Sequence, residues 1–177
     1  DYLIIDFPPG TSDEPLTVAQ NLPDIDGMVI VTTPQDVALL DSRKSITFAN
    51  SLKVDVIGVI ENMSGYTVRG KAPSGTEIEL AAPGGKTVRV TADDEGHWAG
   101  TLDIFKSGGG EKTAEEFGVP FLGKLPFDPG FVRGGDDGVH RIVSEPDGPA
   151  SLAFAEVVAQ IQSKVESGST DSGLEII

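Results

Sequence analysis

The chain opens on a continuous apolar run, Tyr2-Leu3-Ile4-Ile5, that stops at Asp6. Apolar residues at consecutive positions, rather than at every second one, mark a strand covered on both faces, as in a parallel sheet enclosed by helices. Three further runs of this kind follow, over residues 27–33 (GMVIVTT), 54–61 (VDVIGVIE) and, shorter, 121–125 (FLGKL). Between them the spacing turns helical. Residues 36–52 predict a helix with Val37, Leu40, Ile46, Phe48 and Leu52 on its packed face. Shorter helices are expected over 15–22 and 111–117, and a long one over 151–166 with Leu152, Phe154, Ala155, Val158, Ile161 and Val165 toward the sheet. Alternation of strand, helix and strand implies right-handed crossovers and a parallel sheet. A central strand at residue 2 needs neighbours on both sides, so the sequence reads as a fragment whose earlier strands have been cut away, belong to another chain or were never sequenced.

The rhythm breaks over residues 67–102, where TEIEL, KTVRV and HWAGTL alternate with a period of two and are separated by PGG and DDEG turn signals. This pattern predicts a three-stranded antiparallel meander inserted in the α/β domain, with Ile78, Leu80, Val88, Val90, Trp98 and Leu102 on one apolar face. Trp98 reads as the anchor of that face rather than as a platform for a ligand. Past the last helix, residues 167–177 have the composition of a disordered tail.

Composition narrows the function classes. A length of 177 residues with 38% hydrophobic residues suits one domain with a core. A formal charge of −15 disfavours nonspecific binding to nucleic acid or anionic lipid, which depends on Lys and Arg; it also suits a high-salt cytoplasm. The chain has no Cys and two His, which excludes disulfides and thiolate metal sites and argues against zinc. No apolar stretch reaches the roughly 18–20 residues of a membrane span, and no basic start precedes an apolar run as in a signal peptide. The expected location is the cytoplasm, with nucleotides and proteins as partners.

The chemistry concentrates at Asp6 and the Pro8-Pro9-Gly10-Thr11 loop behind it. An Asp at the carboxyl end of a buried parallel strand lies at the sheet edge where α/β proteins bind ligands, and its carboxylate can hold Mg²⁺, usually through water. The two prolines and the glycine make a stiff turn with a flexible exit, suited to sensing a γ-phosphate. The same Asp serves equally well as a cap for the turn. Gly108-Gly109-Gly110 before Glu111-Lys112-Thr113 imitates a phosphate loop, but neither the preceding strand nor the spacing matches one, and the run reads as the start of a helix.

The stretch DYLIIDFPPGTSDEPLTV resembles the Walker B and switch II region of Mrp (ApbC) type ATPases, within the MinD/ParA-like P-loop class. VTTPQDVALLDSRKSI resembles the family's next strand and helix, GVIENMSGY the strand after it, and FKSGGGEKTAEEFGVPFLGKLPFDP the stretch leading to the last core strand. The resemblance covers about residues 1–66 and 103–165 in the family's order. It implies a homodimeric ATPase that carries iron-sulfur clusters to client apo-proteins and takes ATP and Mg²⁺. By position, Asp6 matches the Walker B aspartate, the catalytic and metal-holding carboxylate, and Pro8, Pro9, Gly10 and Thr11 match switch II, with Gly10 and Thr11 in catalytic roles. Asn62 matches an asparagine whose amide can pair with the adenine edge, and Pro126 and Asp128 fall in the loop that wraps the base. Asn62, Pro126 and Asp128 also read as plain turn residues.

The implied fold class is α/β, a partial P-loop NTPase-like parallel sheet flanked by helices with an inserted antiparallel β-meander. Its divisions are 1–66 and 103–166 for the ATPase part, 67–102 for the insert and 167–177 for the tail. Two departures from the family limit the expectation. The phosphate loop would lie N-terminal to Asp1, so this chain alone is not expected to hydrolyse ATP. A Cys-x-x-Cys pair usual just after the position of Tyr66 is replaced by Val68-Arg69-Gly70 and the insert, so no thiolates are present for a cluster. The alternative is a non-catalytic nucleotide switch or protein-binding module in which the insert has replaced the cluster site. A membrane-associated MinD-like switch is disfavoured by the acidic C-terminal region.

Overall fold

The computed structural model describes residues 2–7, 13–22 and 24–168, and in chain order these form α1 (Asp13–Asn21), β1 (Met28–Thr32), α2 (Asp36–Ser51), β2 (Val56–Glu61), β3 (Tyr66–Lys71), β4 (Glu77–Ala81), β5 (Thr87–Thr91), β6 (His97–Leu102), α3 (Gly109–Phe117), β7 (Phe121–Lys124), α4 (Pro129–Asp137), α5 (Arg141–Ser144) and α6 (Pro149–Gly168). The consecutive apolar positions of β1, β2 and β7 do what their pattern requires. They form a parallel sheet in the order β1-β2-β7, and the central β2 is buried from Gly58 to Glu61. On one face Ile30, Ile46, Val59 and Ala114 form a core with Phe117 and Phe121 at its margin. On the other, Ile60, Leu122 and Val157 pack together, joined by Leu125 and Ile161. The α/β class with helices on both faces of a parallel sheet therefore holds.

The helix faces differ from the expected ones. On α2 the buried residues are Leu39, Ser42, Ile46 and Ala49, whereas Val37 is 75% and Leu40 56% exposed. The crossover from β1 turns the helix so that small Ser42 and Ala49 meet the sheet, and spacing alone does not choose between two overlapping apolar stripes. On α6 the same applies: Ala150 and Val157 are buried with Phe154, Ile161 and Val165 beside them, and Leu152 and Val158 face outward.

Residues 2–5 are not a buried strand. They run without strand pairing, and Leu3 and Ile4 are 81% and 89% exposed. A β conformation needs a hydrogen-bonded neighbour, and among the described residues β1, β2 and β7 pair only with one another. The helices α4 and α5 were absent from the expected elements, since PGFVRGGDD and RIVS carry too few apolar residues for a readable period. Residues 167 and 168 belong to α6 rather than to a tail, and the rest of the expected tail lies outside the described residues.

The insert is built differently from a three-stranded meander. Tyr66–Lys71 is itself a strand, and it pairs antiparallel with β6, while β4 and β5 form a separate antiparallel hairpin nested between them. The two ribbons lie face to face, with Leu80 and Val90 closing on Gly100. The indole of Trp98 lies across Gly70, where a Cβ would have no room. Two ribbons that cover each other's apolar side meet the requirement that so small a sheet pack against something. The missed strand, YTVRGK, has one strongly apolar position and so gives no alternation.

These burial patterns are checked by urea denaturation of two variants. Ile46→Ala empties a fully buried site and should cost about 2–5 kcal/mol. Val37→Ala, on the exposed side of the same helix, should stay within about 0.5 kcal/mol. Equal losses would return α2 to the face expected from its sequence.

Candidate functional site

At the carboxyl edge of the sheet, the loops leaving β2 and β7 are stitched together. Ser64 N–H donates to the Leu125 carbonyl at 2.9 Å, Leu125 N–H to the Glu61 carbonyl at 2.8 Å, and Phe127 N–H to the Gly65 carbonyl at 2.8 Å. Asn62 N–H donates to the Thr32 carbonyl of β1 at 2.7 Å, so the end of each sheet strand is fixed to its neighbour. Asn62 Oδ1 accepts from the Met63 amide at 2.9 Å, and Met63 takes a left-handed φ of 56°. The Asn62 amide nitrogen has no acceptor among the described residues.

Asp128 is committed on both oxygens. Its Oδ1 caps α4 by accepting from Gly130 N–H at 2.7 Å, and its Oδ2 accepts from Arg141 Nε at 2.9 Å. Burial works to raise this carboxyl, but the Gly130 amide and the Arg141 guanidinium outweigh it and hold Asp128 below the ordinary aspartate range. Arg141 also pairs with Glu145 one turn along, and its bond to Asp128 joins α5 to the start of α4. Asp128 thus shapes the loop it stands in, and Pro126 lies half-buried two residues before it.

The structure separates the remaining expected residues. Asp6 is exposed, after the extended residues 2–5. Pro8, Pro9, Gly10 and Thr11 lie outside the described residues. Of the expected site, the residues brought to one edge are Asn62, Pro126 and Asp128.

A residue that sequence reasoning missed organises that edge. Glu61, the last residue of β2, is fully buried. Its Oε1 accepts from Ser64 Oγ at 2.5 Å and from Gly108 N–H at 3.0 Å, and its Oε2 accepts from Gly110 N–H at 2.7 Å. Backbone donors at a helix start are what an anion seeks, and here a carboxylate of the chain occupies them. Gly110 suits the approach, because a Cβ there would stand a tight 3.0 Å from Glu61 Cβ and 3.2 Å from Thr32 Cγ2. The Gly108-Gly109-Gly110 run is therefore a receptor for Glu61 and not a phosphate loop. The available signal was a charged residue closing an apolar strand upstream of a Gly-rich helix start.

Beside it a groove of about 230 Å³ lies between α2 and α3, with Pro34 and Leu39 at its floor and Arg43, Lys106 and Lys112 around it. Two of these cations are engaged, Arg43 with Glu116 at 2.8 Å and Lys106 with Asp36. Among the described residues no group of three or more His, Cys, Asp or Glu side chains is placed to hold a metal ion.

A family profile described as ParA, the NUBPL iron-transfer P-loop NTPases, matches residues 1–87 and 90–162. An iron-sulfur cluster carrier protein of Methanocaldococcus jannaschii is 42% identical over 166 residues, which are 94% of this chain and 47% of that protein. The protein of the same description from Pyrococcus horikoshii is 38% identical over 175 residues, 99% of this chain and 50% of its own length. The chain thus spans about half the length of the curated relatives it matches. Among solved structures, a nucleotide-binding protein from Archaeoglobus fulgidus in complex with ADP is similar with a TM-score of 0.53 and 30% identity, over 87% of this chain and 50% of that one. The septum site-determining protein MinD of Pyrococcus horikoshii shares the fold, with a TM-score of 0.51 and 15% identity over 81% of this chain and 44% of its own.

The Asp128 cap supplies a test of the edge geometry. A carboxyl held lower in the folded than in the unfolded state stabilises the fold above its unfolded value, about 3.9, and loses that contribution as pH falls through the folded one. Urea midpoints taken from pH 7 to 3 should show an added loss below about pH 4 that is missing in Asp128→Asn. The variant should itself be less stable at pH 7 by up to about 1 kcal/mol, through the lost charge facing Arg141, since Asn caps a helix about as well as Asp. Parallel pH profiles for the two proteins would contradict the role given to this carboxylate.

Proposed function

The chain belongs to the NUBPL iron-transfer P-loop NTPase family, and on that premise we propose that it is the base-binding portion of an ATP-dependent iron-sulfur cluster carrier whose phosphate loop comes from sequence outside these residues. The observation that carries this reading is the convergence of Asn62 and Pro126 at the carboxyl edge of a parallel sheet, where α/β folds take ligands. The Asn62 amide nitrogen is available as a donor to a ring nitrogen of adenine, and Pro126 offers an apolar wall beside it. Asp128 supports that wall through the α4 cap. Asp6 is the carboxylate to hold Mg²⁺ through water, and Pro8, Pro9, Gly10 and Thr11 are the residues that answer to the γ-phosphate, with Gly10 and Thr11 in catalytic roles. No cradle for the phosphates is offered by Gly108–Gly110, whose amides already hold Glu61. The family's activity needs the intact protein, as a homodimer in the cytoplasm that passes clusters to apo-proteins. Among the described residues no helix is long and apolar enough to cross a membrane.

Thiolates are the usual ligands of iron-sulfur clusters, and these 177 residues contain no Cys. The position after Tyr66 is taken by the double ribbon of β3 to β6. That observation favours a second reading, in which the ATPase scaffold is kept as a switch and the ribbon serves protein contacts in place of a cluster.

Calorimetry with Mg-ATP, on this chain and on the longest reading frame that contains it, tests the nucleotide assignment. Binding is expected only for the longer protein, and Asn62→Ala in that protein should weaken it about fivefold to tenfold. If neither form binds, the nucleotide assignment fails. ATP hydrolysis by the longer protein without retention of a reconstituted cluster would select the second reading.

A further inference from the structure

The insert and the base-facing loops share their foundations. The inbound leg of the ribbon starts one residue after Gly65, and Ser64 just before it donates to Glu61. The outbound leg leaves β6 at Leu102 and runs to Gly108, whose N–H donates to the same carboxylate oxygen. An aromatic clasp repeats the arrangement: the Phe127 ring meets Tyr66 of the inbound leg at 5.7 Å and Phe105 of the outbound leg at 6.0 Å, both edge to face. Glu61 directly precedes Asn62, and Phe127 stands between Pro126 and Asp128. Each loop expected to touch the base is thus tied to both legs of the ribbon.

We propose that Glu61 is a positioning residue that couples the base-facing loops to the β3–β6 ribbon, so that nucleotide occupancy is transmitted to the insert. The inference rests on the nucleotide reading above and adds a route of regulation to it. A buried carboxylate with three donors from two segments accepts little partial disorder, because any donor that leaves exposes an unpaired charge to an apolar surrounding. Ordering of residues 62–65 against a nucleotide therefore tightens Ser64 and Gly108 together. By reciprocity, whatever binds and orders the ribbon raises nucleotide affinity by the same factor.

Glu61→Gln tests the coupling with little change of volume. The amide accepts through one atom only and presents N–H against either the Gly108 or the Gly110 donor, so the clamp loses one leg. The measurement is amide hydrogen exchange on the longest reading frame containing this chain, with and without Mg-ADP as the probe. In the parent protein, Mg-ADP should slow exchange at 64–71 and 97–110 by about tenfold, the scale of one charged hydrogen bond. In Glu61→Gln, bound Mg-ADP should leave those two segments unprotected while β7 and α6 keep their parent rates. A merely structural defect would speed exchange in β7 and α6 as well.

Phe127→Leu, which removes the clasp and leaves the carboxylate intact, should weaken the same protection, and it decides the matter if Glu61→Gln does not fold. The proposal is overturned if Mg-ADP binds without protecting the ribbon legs, or if both variants retain full protection. Absence of Mg-ADP binding by calorimetry would remove the nucleotide reading and this inference together, and is distinguished from the other outcomes by that measurement alone.

Discussion

The fold depends on a charge placed where charges are expensive. Glu61 ends the central strand in full burial, and a carboxylate taken out of water costs several kcal/mol unless its oxygens are hydrogen-bonded. Three donors and the positive end of α3 meet that cost. The consequences spread outward. A Cβ at residue 110 would crowd Glu61 and Thr32, and the loops after β2 and before α3 are held together on one carboxylate. That last tie allows a ribbon of four strands to be inserted between Ser64 and Gly108 without disturbing the sheet, since both ends of the insert are fixed to one side chain. The packing is imperfect nearby: Thr113 Oγ1, on the buried side of α3, has no partner among the described residues.

Much of the sheet was legible because its signal is cumulative. GMVIVTT, VDVIGVIE and FLGKL each need burial on both faces, and the strands found within them are shorter than the runs by one or two residues. Helix faces were less legible. Of the face expected for α2, Ile46 is buried but Val37 and Leu40 are exposed, and the chain buries Leu39 with Ile46 because Ser42 and Ala49 let the helix come close to β1 and β2. An apolar count gives no weight to Ser42 and Ala49, which set the buried face. The run at residues 2–5 shows a different limit: its composition specifies a buried strand, but burial is a property of neighbours, and β1, β2 and β7 do not supply them.

The candidate site divides in the same way. Asn62 and Pro126 were reached through resemblance, and the backbone bonds among residues 62–65 and 125–127 place them at one edge. Asp128 carried two readings, and its geometry serves the turn one, with both oxygens held by Gly130 and Arg141. Glu61 was illegible as a functional residue because its role is defined by Gly108 and Gly110, which lie 47 and 49 positions away. Nothing local to VIGVIE distinguishes a carboxylate that exits into solvent from one that turns back under a helix.

The glycine run at 108–110 shows why a motif must be read with its partners. Free backbone N–H groups at a helix start bind phosphate well, and by composition this segment offers them. Glu61, however, is an anion tethered in the folded chain, so it competes at an effective concentration that a dissolved ligand cannot match. A phosphate displacing it would also leave a carboxylate buried without donors. The amides of Gly108 and Gly110 are therefore not free to receive a phosphate. Fixing Gly108 and Gly110 to β2 thus turns the amides of this helix start inward, onto a side chain of the sheet.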